Sequence, residues 1–96
     1  MVIVALDHVP HCYSSDDGTK IANLIRREFD AGRTVTLSFH GVSDVPSSFV
    51  NAAIVSLLDR YGAAYLRQNL SMVDASSQTA RMIRRCLHGA MELQAA

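Results

Sequence analysis

The sequence predicts an α/β domain with a small, largely parallel sheet and helices mainly on one face, in the order βαβαβα. Three observations carry this expectation. Short runs rich in Val, Ile and Leu alternate with longer stretches whose apolar residues recur at helical spacing, and glycines follow two of those stretches where a helix would stop. A helix between each pair of strands makes the strands parallel, and right-handed crossovers place the helices on one face. The third observation is the strict alternation of Thr34 to His40, because a strand sandwiched between two helical layers reads as a continuous apolar run.

Val2 to Leu6 is the first strand, a β-branched and apolar run ended by Pro10. The segment DHVPHCYSSDDG gathers turn-forming residues, and Ser14, Ser15, Asp16 and Asp17 suit the start of a helix, where side-chain oxygens satisfy free backbone N–H groups. From Lys20, Ile21, Leu24, Ile25 and Phe29 form one buried stripe, and Gly32 supplies the stop. In the second strand Val35, Leu37 and Phe39 point to one side and Thr36, Ser38 and His40 to the other.

Gly41 and the SDVP segment make the next turn, with Pro46 at the start of a second helix. That helix is expected from Ser47 or Ser48 to Tyr61, buried along Val50, Ala53, Ile54, Leu57, Leu58 and Tyr61, with Gly62 as its stop. A third strand is placed at Ala63 to Leu70 although Arg67, Gln68 and Asn69 sit inside it. After Asp74, Ser76 or Ser77 caps a last helix with Ala80, Ile83, Leu87 and Ala90 on one face and Arg81, Arg84, Arg85 and His88 opposite.

With 96 residues the chain is a single domain, residues 1–96. Nine basic and nine acidic residues give a net charge of zero, so no global field draws it to nucleic acid or to an anionic membrane. No apolar run is long enough to span a bilayer and no secretory signal opens the chain, so a cytoplasmic location is expected. Cys12 and Cys86 are too few and too far apart for a disulfide framework and are expected as reduced thiols.

The glycines form neither a dinucleotide fingerprint nor a phosphate loop, and no cofactor is implied. His8, His11 and Cys12 lie close together but lack paired Cys-x-x-Cys or His-x-x-x-His spacing, so no metal site is assigned. A metal-dependent or enzymatic protein using that region is the alternative reading. Another is a self-assembling module, a homodimer formed through the polar sheet face or the second helix.

The run GRTVTLSFHGVSDVPSSFVNAAIVSLLDRYG, with the later NLS, resembles the STAS-like family of small bacterial proteins. The shared pattern is a strand ending in an aromatic (Phe39), a Gly-Val (Gly41, Val42), a Ser-Ser-Phe at a helix start (Ser47, Ser48, Phe49) and an Asn-x-Ser (Asn69, Ser71). The wider STAS group includes the antagonists of anti-sigma factors. In those proteins a serine in an Asp-Ser-Ser-Gly turn is phosphorylated by a partner kinase, which switches binding off. That serine falls on Ser48, with Pro46 in place of the aspartate and Phe49 in place of the glycine. Ser38 also departs from the pattern, which more often carries aspartate there.

The resemblance implies a non-enzymatic regulatory module that binds another protein, a kinase-like ATPase or a regulatory factor. Ser48 or Ser47 is then the phosphorylation site, and Pro46, Ser47, Ser48, Phe49 and Val50 the contact surface. Read from the residues alone, one of the two serines caps the helix. Partly exposed Phe49 and Val50 would supply an apolar anchor beside a polar rim.

Overall fold

The computed structural model describes the backbone of residues 1–95 and the side chains of residues 1–90. Three parallel strands, β1 (Val2–Val4), β2 (Val35–Ser38) and β3 (Leu70–Val73), lie side by side in the order β1-β2-β3. Ile3 pairs with Leu37 and Leu37 with Met72, which puts β2 at the centre of both ladders. When strands follow one another in chain order, every right-handed crossover steps the same way and passes over the same face. The helices α1 (Ser15–Asp30), α2 (Ser47–Ala53), α3 (Leu58–Asn69) and α4 (Ser77–Ala95) accordingly cover one side.

The side-chain alternation of β2 is seen directly. Val35, Leu37 and Phe39 are buried under the helices together with Ile3 and Leu70. The opposite face carries Val2, 62% exposed, and Val73, 40% exposed, with Ser71 also exposed between them. That face has no covering layer among the described residues.

Ser14 is the N-cap of α1: its Oγ accepts the Asp17 N–H at 3.1 Å. Gly18 belongs to the first turn of α1, where the sequence suggested a turn residue before the helix. A Cβ at Gly18 would lie 2.6 Å from the Phe49 carbonyl oxygen and 2.8 Å from the Ala52 Cβ. Only glycine therefore lets α1 and α2 cross backbone against backbone. Phe29 at the far end of α1 meets Tyr61 and Tyr65 edge-on, with ring centroids 5.0 and 5.1 Å away.

The structure corrects the middle of the chain. The second helix is not continuous to Tyr61: α2 ends at Ala53, Ile54 leaves helical geometry, and a 3-10 turn over Val55–Leu57 leads into α3. Ile54 and Val55 are β-branched, and the Ser56 hydroxyl donates to the Ala52 carbonyl at 2.6 Å, so local preference and side-chain competition both weaken the helix here.

Gly62 breaks the helix with φ 81°, as its identity suggested, but the chain resumes helical turns instead of entering a strand. Residues 63 to 69 are thus helical, and the third strand lies at Leu70–Val73, not Ala63 to Leu70. Tyr61 and Tyr65 stack one turn apart, and the Asn69 amide donates to the Tyr65 carbonyl at 2.9 Å, which helps close the helix before Leu70. The first strand is also shorter than expected, because Ala5–Asp7 forms a 3-10 turn.

Candidate functional site

In an open parallel sheet, loops at the carboxyl ends of the strands gather helix starts and functional side chains. Here that edge holds the 3-10 turn after β1, the segment from Phe39 to Pro46 after β2, and Asp74 to Ser76 after β3. Two small contacts close it. The buried Ser38 hydroxyl donates to Asp74 Oδ2 at 2.8 Å and accepts the His40 N–H at 3.3 Å. Asp74 adopts φ 58°, a conformation an aspartate side chain tolerates better than most.

The turn that carries the paired serines is held from outside. Gln78, in the first turn of α4, accepts the Val45 N–H at 3.0 Å and donates to the Val45 carbonyl at 3.1 Å. Ser76 caps α4 by accepting the Thr79 N–H at 3.1 Å and also donates to the Ser43 carbonyl at 2.6 Å. Ser76 was legible as a helix cap. Its second bond and the clamp by Gln78 join residues more than thirty positions apart and leave no local signal.

Pro46 stands at the N-cap of α2 with extended backbone, φ −80° and ψ 162°, and Ser47 and Ser48 follow as the first helical residues. Neither serine caps the helix, since the cap position belongs to a residue without a side-chain acceptor. Both are exposed, and among the described residues neither hydroxyl is held by a hydrogen bond. Phe49 and Val50 do not form the expected anchor: both are 0% exposed and lie in the core. Helical rotation turns them inward against α1, where truncating Phe49 to alanine would cost about 3–5 kcal/mol. Of the expected contact residues, Pro46, Ser47 and Ser48 remain at the surface.

The His8, His11 and Cys12 region assembles differently from a ligand set. His11 Nδ1 donates to Asp17 Oδ2 at 2.9 Å, and its ring stacks on Tyr13 at 4.7 Å between centroids. Asp17 also accepts the Tyr13 N–H at 3.4 Å. Burial by itself would raise the Asp17 carboxyl, but the hydrogen bonds with Ser14, Tyr13 and His11 and the His11 charge outweigh it and hold it below the usual range.

Cys12 is buried beneath this cluster, and desolvation, with the nearby Asp17 charge, pushes its thiol up to about 11. Cys86 lines a separate groove between α2 and α4, together with Ser47 and Asn51. Among the described residues no three His, Cys, Asp or Glu side chains converge as a set able to hold a metal ion. An apolar recess of about 240 Å³ between α3 and β3 brings together Leu66, Leu70 and Met72, with Arg67 as its titratable residue. No helix among the described residues is long and apolar enough to cross a membrane.

A family model described as a STAS-like domain of unknown function (DUF4325) matches residues 17–80, which is more than half of the chain and includes the serine turn, β2 and β3. Comparison with curated proteins and with solved structures gives no match.

Proposed function

The chain belongs to the STAS-like domain family, and on that premise we propose that it is a non-enzymatic regulatory module that binds another protein through the turn at Pro46, Ser47 and Ser48. The observation that carries this reading is the pair of exposed, unengaged serine hydroxyls on a turn clamped by Gln78 and Ser76. A rigid platform loses little conformational freedom when a partner docks on it.

The same turn is the site of control. A kinase-like ATPase partner transfers the γ-phosphoryl group of ATP to Ser48 Oγ; the hydroxyl proton is released and ADP leaves. The product adds about two negative charges to a neutral chain at a point already exposed. Binding is switched off by repulsion, with no need to unfold the domain.

Affinity capture from the native cell, with mass spectrometry of the captured proteins and of the intact chain, tests both parts. Ser48→Ala should retain the captured partner and Ser48→Asp should lose it. A Ser48→Asp chain that captures the same proteins at unchanged yield would overturn the reading.

The uncovered sheet face favours a second reading, self-association, because Val2 and Val73 stand exposed beside two unpaired strand edges. Sedimentation over a range of concentrations distinguishes them. A dimer that Val73→Lys dissociates supports assembly, whereas a monomer at all concentrations removes it.

A further inference from the structure

The exposed side of α4 holds Arg81, Arg84 and Arg85, and none of them is paired with an acidic side chain among the described residues. Spaced three and four residues apart, they repel one another across a single helical turn, an arrangement that an isolated helix does not favour. In a chain of net charge zero they form a local basic excess.

Beside them runs a groove of about 550 Å³ between α2 and α4. Val55, Met82, Cys86 and Ala90 supply its apolar lining, Ser47 and Asn51 stand on the α2 side, and Arg85 borders both the groove and the basic face. Gly89 keeps the groove open. A Cβ there would meet nothing within 4 Å among the described residues, so none of them requires a glycine inside this helix. Glycine is a poor helix residue, and the fold would be firmer with a side chain at that position.

We propose that this groove docks an acidic amphipathic helix of a partner protein, with its apolar side chains between α2 and α4 and its Asp or Glu side chains paired with Arg85 at the groove and Arg81 one turn before it. The inference rests on the protein-binding reading above and specifies the chemistry of the partner. Guanidinium groups hold carboxylates through paired hydrogen bonds, and an amphipathic helix laid in an apolar groove is a common mode of recognition. The lining favours protein over nucleic acid, because it offers aliphatic and sulfur atoms and no aromatic ring on which a base would stack. It also explains the sign of the switch: phosphate on Ser48, next to Ser47 on the groove wall, places negative charge beside an acidic ligand.

A phage-displayed library of helical peptides selected against the full chain tests this proposal. Enriched peptides should carry apolar residues at helical spacing flanked by Asp and Glu, and their binding should weaken as salt is raised. Arg85→Glu should weaken them by about tenfold or more. Gly89→Leu should abolish binding while leaving the melting temperature at or above that of the parent, since it fills empty space and favours the helix.

Enrichment of basic or uncharged peptides, no enrichment, undiminished binding by Gly89→Leu, or displacement of the peptides by a single-stranded RNA oligonucleotide would each overturn the proposal. Capture of the native partner separates this failure from failure of the broader reading. If Ser48→Asp loses the partner and Gly89→Leu keeps it, the groove alone is wrong. If both variants keep it, both readings fail.

Discussion

Replacing Gly18 by alanine is expected to weaken the domain, although the same change at Gly89 is expected to strengthen it. Both residues lie within helices, so propensity alone favours alanine at each by up to about 1 kcal/mol. The difference is what the new methyl meets. At Gly18 it would stand 2.6 Å from the Phe49 oxygen, 2.8 Å from the Ala52 Cβ and 3.0 Å from the Ala53 nitrogen. Favourable carbon contacts lie at about 3.5–4.0 Å.

These are backbone atoms and a Cβ, so no side-chain rotation relieves the overlap and α1 and α2 must move apart. Overpacking of this kind costs about 1–3 kcal/mol, and the rigid neighbours put Gly18→Ala toward the upper end. After the propensity gain a net loss of about 2 kcal/mol remains, or about 10 °C in melting temperature for a domain of this size. Gly89→Ala meets nothing among the described residues and should gain about 0.5–1 kcal/mol. Urea and thermal unfolding followed by far-ultraviolet circular dichroism measure both. A Gly18→Ala protein as stable as the parent would refute the account of the helix crossing.

Three further outcomes are expected. Gln78→Met removes both hydrogen bonds to the Val45 backbone, and should cost about 1–3 kcal/mol and speed amide exchange of residues 41–45; unchanged exchange at Val45 would show that the clamp is dispensable. Because Asp17 titrates below its unfolded value of 3.8, its stabilisation is complete above that pH and is lost as pH falls through the lowered folded value. Asp17→Asn should therefore flatten the acid side of the stability profile, and an acid limb as steep as the parent's would count against the Asp17 cluster. Iodoacetamide at pH 8 should label half-buried Cys86 in the native protein and Cys12 only after unfolding, as peptide mapping would read.

The parts of the fold legible in the sequence are those set by local periodicity. The alternation of β2, the stripe of α1 and the caps at Ser14 and Ser76 depend on neighbours within a few residues. Residues 63 to 69 read as a strand in the sequence because Ala63, Tyr65 and Leu66 fit a short strand as well as a helix. The deciding contacts, Tyr65 on Phe29 and Tyr61 on Asp30, come from α1. Phe49 followed the same logic at the site. Its identity marked a helix start, but its direction depends on where α1 crosses, and Gly18 sets that crossing.

The succession of β1, β2 and β3 across the sheet also bears on how the chain is made. During synthesis β1 and α1 emerge first, and once Ser38 has cleared the ribosome the first parallel ladder has both its strands. The second ladder needs only the addition of β3 to the free side of β2, with no insertion between strands already paired. The sheet therefore grows outward in the order of translation, and its second ladder is complete when Val73 arrives. Slowing translation between Ser38 and Leu70 would leave a two-stranded half-sheet with its hydrogen-bonding edge open to other nascent chains.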